Sequence, residues 1–412
     1  MAFLATLGML ALYASLLALF WKTAWAIYHD QRRLHIPPGI KYPITLRIMH
    51  TQMKFGILAV ISESFLKKIG LGNPYKLVGW LYRRFVPKWS RTLTIKDLVF
   101  DDVPVRVYWP KTTPSGKRRG VVVIAAGGGV FGNIEGTDQA CRCIARETNS
   151  VVMTVAFRLA PEHPFPIPIM DCCTATIHFL KNAEEYGVDP HRIVLYGDSG
   201  GGSFAVAVSE YLAGRKDLPK LGGQVLIYPA LQSIDLNLPS YQQNHSVPFM
   251  FKKRAMKVAT RLLTAKEVNL EDIMKNAHLP KHVWMKYRKW VNPDDIPERF
   301  KGRGYVPMER PPFNQELYEI IKEATNPMYS PLLAEDDVIR QLPKTFLLTC
   351  EYDIFRDDGL LFKKRLEDNG VPVTWYHIKD GFHGMLFGHG RPVEYPETKL
   401  HFQHVNNFIN SI

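Results

Sequence analysis

Cysteine is scarce in this chain, with five residues (Cys141, Cys143, Cys172, Cys173 and Cys350) among 412. So few cannot staple a chain of this length into a disulfide scaffold, and their spacing is not that of a cysteine-rich zinc fold. Internal repeats and low-complexity tracts are also missing, which excludes a solenoid or a fibre. At 46% hydrophobic and 22% charged residues, the chain is too apolar for a disordered tail and long enough for one large α/β domain or two ordinary ones. Acidic residues are short, 39 against 52 basic, and the deficit is local. Residues 22–95 hold 13 basic and 2 acidic side chains, 236–330 hold 16 and 10, and the rest of the chain nets −4. A net charge of +13 suits an anionic partner. Its confinement to two segments suits lipid headgroups, at about 1 kcal/mol per basic residue near the surface, rather than nucleic acid.

Charge is absent altogether from Ala2 to Trp21 (AFLATLGMLALYASLLALFW). At about 1.5 Å per residue these positions match a hydrocarbon core of about 30 Å. The run lacks a basic leader and ends in the bulky Phe20-Trp21, so it reads as an uncleaved membrane anchor rather than a signal peptide. Lys22, Arg32 and Arg33 follow the span and on charge bias favour a cytosolic body. The sequon Asn244-His245-Ser246 argues for a lumenal body, with Asn244 as a candidate glycosylation site.

From Thr92 onward short apolar runs alternate with helical patterns. The runs are Val121–Ala126, Val151–Phe157, Arg192–Tyr196, Gln224–Tyr228, Thr345–Thr349 and Val373–His377, and the helices include Thr174–Glu185, Ser203–Leu212 and Gly359–Glu367. Continuous apolar strands suit a parallel sheet buried on both faces, so the fold class is a doubly wound α/β sheet. The expected order is an anchor at 2–21, a first cap segment at 22–91, sheet at 92–235, a helical cap insertion at 236–330 and sheet again at 331–412.

The chemistry-bearing signal is Gly197-Asp198-Ser199-Gly200-Gly201, placed between the strand RIVLY and the helical SFAVAVSEYL. Strand, G-x-S-x-G and helix make a nucleophile elbow, whose sharp turn lifts a serine hydroxyl above the sheet. The same letters occur at the serine of chymotrypsin-like proteases, but an all-β body with its His and Asp upstream is not present here. A serine hydroxyl needs a base, and in the order Ser, acid, His both partners follow later strands. His383, in Asp380-Gly381-Phe382-His383-Gly384, is the candidate base. Among Glu351, Asp353, Asp357 and Asp358, the choice of acid falls on Asp353, just beyond the strand TFLLTC, with Glu351 second. Asp357 and Asp358 look like dipole or capping residues at the start of the next helix. Backbone amides of Gly127, Gly128 and Gly200 are the candidate oxyanion hole. Gly127-x-Gly129-x-x-Gly132 also matches a dinucleotide fingerprint, with Arg158 as a conceivable NADP ligand, but that leaves Ser199, Asp353 and His383 unexplained.

Together AAGGGVFGN, FRLAPEHPFP, YGDSGGG, EYDIFRDDG and DGFHG resemble the hormone-sensitive-lipase-like α/β-hydrolases, and the anchor run with LIYPALQSIDLNLPSYQQN, YRKWVNPDDIPERF and LPKTFLLTCEYDIFRDDG resembles the arylacetamide deacetylase family among them. The resemblance spans essentially the whole chain. It implies a single-pass type II protein of the endoplasmic reticulum membrane with a lumenal hydrolase domain, acting on small lipophilic esters or aryl amides. It also implies Ser199 as nucleophile with Asp353 and His383, no cofactor and no metal. Two departures stand out: the family's His-Gly-Gly-Gly loop begins here with Ala126, and Val130-Phe131 replaces a cysteine that pairs, in arylacetamide deacetylase, with the position of Cys350. A bridge at Cys350 would have to use Cys141, Cys143 or another residue, so no particular pairing is assigned.

Overall fold

The computed structural model describes residues 90–412 except 114–115, 133 and 391–392, together with 31–54 and isolated positions between 21 and 29. The expected anchor at 2–21, Trp21 apart, and most of the first cap segment lie outside the described residues. Among the described residues, no helix is long and apolar enough to cross a membrane.

Eight strands form one sheet: β1 (Leu93–Phe100), β2 (Val103–Pro110), β3 (Arg118–Ile124), β4 (Val151–Val155), β5 (Val188–Asp198), β6 (Gly223–Ile227), β7 (Thr345–Tyr352) and β8 (Val373–Phe382). Their spatial order is β1-β2-β4-β3-β5-β6-β7-β8. The first two strands pair antiparallel with their neighbours, and from β4 to β8 all pairs are parallel. Among the described residues that follow β1, the six longer helices are α1 (Ile134–Thr148), α2 (Ile167–Lys181), α3 (Gly200–Ala213), α4 (Lys252–Leu263), α5 (Arg356–Asp368) and α6 (Thr398–Asn410).

Period-two alternation explains why the central strands read as unbroken apolar runs. On β3, Val122 and Ile124 face one core with Cys172, Phe179, Phe204 and Leu361, while Val121 and Val123 face the other with Ile144, Phe402 and Val405. Helices α2, α3 and α5 thus cover one face of the sheet, and α1 and α6 the other. The expected strands and helices appear within a few residues of their sequence positions, apart from α2, which begins seven residues before the expected Thr174. Strands β1 and β2 and helix α1 were not anticipated. The β1 run LTIKDLVF lies at the sheet edge with only its ends, Leu93 and Phe100, buried and its middle half-buried or exposed, so it shows no continuous apolar stretch.

Between β6 and β7 lie α4 and several short helices, in the segment that the sequence marks as a cap insertion. Of its aromatic residues, Phe249 is buried and lines the internal cavity, Trp290 is buried in the core, and Phe251 meets His50 edge-on at 5.4 Å. The N-terminal segment also reaches the cap, where the Phe249 N–H donates to His50 Nδ1 at 2.8 Å.

Candidate functional site

The strand β5 and helix α3 meet at Ser199, whose backbone takes φ 56° and ψ −126°. A non-glycine residue held there costs on the order of 1–3 kcal/mol, and surrounding bonds must enforce it. The Ser199 N–H donates to the Ile227 carbonyl at 2.9 Å, and the Ser199 carbonyl accepts from the Gly202 N–H at 2.9 Å. Two glycines give the turn its room: a Cβ on Gly197 would lie 2.1 Å from the Gly201 oxygen, and one on Gly200 2.4 Å from the Gly128 Cα. The second approach brings the first amide of α3, which has no acceptor within its own helix, beside the glycine loop after β3.

Asp353 follows the end of β7, and His383 follows the end of β8. His383 Nδ1 lies 2.8 Å from Asp353 Oδ2, and His383 Nε2 lies 2.8 Å from Ser199 Oγ. A carboxylate can only accept, so the Nδ1 hydrogen points to Asp353 and Nε2 is free to take the serine proton. Asp353 is fully buried, His383 nearly so, and Ser199 is half-buried. The imidazole is flanked by the rings of Tyr228 at 4.8 Å and Phe355 at 5.2 Å, and the Phe355 N–H donates to Asp353 Oδ1 at 2.9 Å. Burial pushes the Tyr228 hydroxyl well above its ordinary pKa.

The other carboxylates near the end of β7 are engaged elsewhere. Glu351 is held by Arg303 at 2.8 Å, Arg356 at 3.0 Å and His377 at 3.3 Å. Burial works against its charge, but these contacts outweigh burial and keep it below the usual carboxylate range. Asp357 and Asp358 do start α5, but both are buried and bind another loop rather than only capping their own helix. Asp357 accepts from the Ser240 N–H at 2.6 Å, and Asp358 accepts from the Leu231 N–H at 2.8 Å. Burial pushes the Asp358 carboxyl up to about 7.

Asn244 requires a correction. Its side chain is buried, with Nδ2 donating to the carbonyls of Glu351 at 3.1 Å and Asp353 at 2.8 Å, while Oδ1 accepts from Arg303 at 3.1 Å. A glycan on Nδ2 would break both donations. The local N-x-S pattern gave no hint of this burial. Asn244 instead fastens the loop that carries Asp353.

Gly127, Gly128 and Gly200 come together at the floor of a cavity of about 740 Å³ whose lining includes Ser199 and His383. Most of the wall is apolar, including Phe131, Phe204, Met250, Leu262 and Phe387. Met49, Gln52 and Met53 from the N-terminal segment close one side, a contribution the sequence did not reveal. Polar side chains are interspersed, among them Gln232, Arg254 and His278; His278 Nε2 donates to the Ser233 carbonyl at 3.0 Å, and burial lowers its pKa to about 4. The dinucleotide reading has little support in this arrangement, since the Arg158 guanidinium is spent on Asp171 at 2.7 and 3.0 Å. All five cysteines are buried free thiols.

Residues 121–283 and 300–387 match the family model described as alpha/beta hydrolase fold. The chain is 41% identical to arylacetamide deacetylase-like 3 of Homo sapiens, over 88% of this chain and 89% of that one. It is 40% identical to arylacetamide deacetylase-like 4 of Homo sapiens, over 94% and 95%. Arylacetamide deacetylase of Bos taurus is 34% identical over 91% and 93%. Among solved structures, carboxyl esterase 2 of the fungus Tuber melanosporum superposes with a TM-score of 0.60 at 21% identity, covering 78% of this chain and 87% of that one. A bacterial heroin esterase gives 0.60 at 23% identity, over 81% and 89%. At those identities the structural likeness speaks to the fold alone.

Proposed function

The chain belongs to the arylacetamide deacetylase family of α/β-hydrolases, and from that premise we propose that it is a membrane-anchored serine hydrolase of neutral, lipophilic carboxylic esters or aryl amides. The observation that carries the reading is the continuous hydrogen-bond line Ser199–His383–Asp353 at the floor of an apolar cavity. His383 Nε2 takes the Ser199 proton as the hydroxyl oxygen attacks the substrate carbonyl. The Asp353 carboxylate orients the ring and offsets the imidazolium charge. The N–H groups of Gly127, Gly128 and Gly200 hold the oxyanion of the tetrahedral intermediate. As that intermediate collapses, the imidazolium returns the proton to the leaving alcohol or amine. Water then attacks the acyl-enzyme by the same route and frees the acid. Apolar walls favour uncharged acyl and leaving groups, because a charge buried there without a partner is heavily penalised.

The charge-free run Ala2–Trp21 supports anchoring in a membrane, and the family likeness supports a type II arrangement with the hydrolase domain in the lumen of the endoplasmic reticulum. With Asn244 buried, the sequon no longer supports that orientation. Protease protection of the full chain in sealed microsomes separates it from a cytosolic body.

A second reading rests on Ala126. Where the family's loop begins with histidine, this chain has a methyl group lining the cavity, so the brace an imidazole gives the oxyanion loop is gone. In that reading the fold is kept as a ligand-binding pseudo-hydrolase. Steady-state turnover of p-nitrophenyl esters and of an acetanilide by the full chain in detergent decides between the two. Turnover that vanishes in Ser199→Ala supports the hydrolase; none above Ser199→Ala with any of these substrates supports the pseudo-hydrolase.

A further inference from the structure

Helix α1 and the segment after His383 meet at three side chains that the hydrolase chemistry does not use. Cys143 Sγ, a Glu147 carboxylate oxygen and a His389 ring nitrogen all lie within 4.8 Å of one another. Cys143 and His389 are buried and Glu147 is exposed. His389 is the unusual member: neither ring nitrogen has a hydrogen-bond partner although both are shielded from solvent. The nearest carboxylate, Glu394 Oε2, is 3.8 Å from Nδ1, too far for a hydrogen bond. A buried imidazole with two unanswered nitrogens is costly unless something else binds it.

We propose that Cys143, Glu147 and His389 bind a zinc ion, with Glu394 or a water molecule as fourth ligand, fastening the segment that follows His383 to helix α1. A mixed thiolate, imidazole and carboxylate set suits a borderline-soft, four-coordinate Zn²⁺ better than Mg²⁺ or Ca²⁺, which prefer all-oxygen shells. A neutral imidazole donates a ring-nitrogen lone pair, and the thiol gives up its proton as the metal binds. The His389 ring is already oriented, stacked on Phe402 with centroids 4.0 Å apart and planes 12° from parallel. Gly390 keeps space beside the sulfur, since a Cβ there would sit 3.1 Å from Cys143 Sγ.

The surrounding charges are compatible with a dication. Arg146 Nη2 lies 3.5 Å from Cys143 Sγ and opposes a cation, but the thiolate together with the Glu147 and Glu394 carboxylates balances both the ion and Arg146. Asn406 Nδ2 donates to Glu147 Oε2, and the Gly390 N–H donates to Glu394 Oε2 at 3.0 Å, so both carboxylates are steadied from behind. The cysteine spacing hides the site because its ligands are separated by about 240 residues of chain.

The test is Co²⁺ titration of the full-length, detergent-solubilised, chelator-stripped chain, with Zn²⁺ displacement to read affinity. Wild type and Ser199→Ala are expected to bind one Co²⁺ with a thiolate-to-metal charge-transfer band and intense tetrahedral d–d bands, both bleached by Zn²⁺. Cys143→Ser loses the charge-transfer band. Glu147→Gln, a nearly isosteric change on an exposed side chain, weakens Zn²⁺ binding by at least about tenfold, as even outer-shell changes do. No charge-transfer band in wild type, a band that survives Cys143→Ser, or full affinity in Glu147→Gln overturns the site. None of these readouts depends on turnover at Ser199.

Discussion

Asn244 Nδ2 donates to the backbone carbonyl of Asp353 at 2.8 Å, so a cap residue grips the loop that supplies the acid partner of His383. The same amide reaches the Glu351 carbonyl, and Arg303 bridges Asn244 to the Glu351 carboxylate. The cap insertion is thereby tied to the end of β7, and the position of Asp353 depends on a residue far from the chemistry in sequence.

Truncating this residue removes three hydrogen bonds, while the Glu351 carbonyl keeps Arg303 Nη2 at 3.0 Å and the Asp353 carbonyl keeps the Arg356 N–H at 3.3 Å. Asn244→Ala should lower unfolding stability by about 1–3 kcal/mol, in line with about 1 kcal/mol for each hydrogen bond lost. It should also lower kcat more than it raises KM, because the substrate does not touch Asn244. Urea denaturation and steady-state kinetics check both. The electrophoretic mobility of wild type should show no glycosidase-sensitive shift that Asn244→Gln abolishes.

Restoring the histidine that the family carries at the head of the glycine loop should tighten the oxyanion hole. Since one oxyanion donor is worth about 10² to 10³ in rate, Ala126→His should raise kcat by up to about 10²-fold. An unchanged kcat would mean that Gly127, Gly128 and Gly200 are held well enough by their neighbours, chief among them the turn in which Val130 and Phe131 N–H groups donate to the Gly127 carbonyl.

The sheet and the Ser199 elbow were legible because both are written in short stretches: buried strands as unbroken apolar runs, the elbow as glycines around a serine. Asp353 and His383 could be placed because they follow the last two strands. What stayed hidden depends on distant parts of the chain. Asn244 looked like a surface sequon, Asp357 and Asp358 looked like simple helix caps, and the share of Met49, Gln52 and Met53 in the cavity wall has no local mark. The edge strand β1 was missed because its middle is half-buried or exposed, and β2 because Pro104 and Arg106 interrupt its apolar run.

Acid should destabilise the cap through His278. Burial lowers its pKa from 6.5 to about 4, so the unfolded chain binds a proton there that the folded chain does not. A depressed histidine contributes stability that is present above pH 6.5 and is lost as pH falls toward about 4, at about 1.4 kcal/mol per pH unit. His389 and His401 are shifted in the same direction, also chiefly by burial. Denaturation midpoints measured across this range should fall with pH in wild type and fall less steeply in His278→Gln. Equal slopes would assign the acid sensitivity to other groups.

Cavity volume should set acyl-chain selectivity. Leu263 lines the cavity without belonging to the hydrogen-bonded line at Ser199. Leu263→Trp should reduce kcat/KM for long-chain esters by about tenfold or more while leaving acetyl esters nearly unchanged, since overpacking a filled site costs about 1–3 kcal/mol. A uniform loss across chain lengths would point to general distortion instead.

The most direct test of an activated Ser199 is covalent labelling of the membrane-bound full chain with a fluorophosphonate probe, comparing wild type with Ser199→Ala and His383→Ala. A serine whose proton is taken by His383 should label in wild type and in neither variant. Absence of labelling in folded wild type, or labelling that persists in Ser199→Ala, would contradict the serine-hydrolase reading.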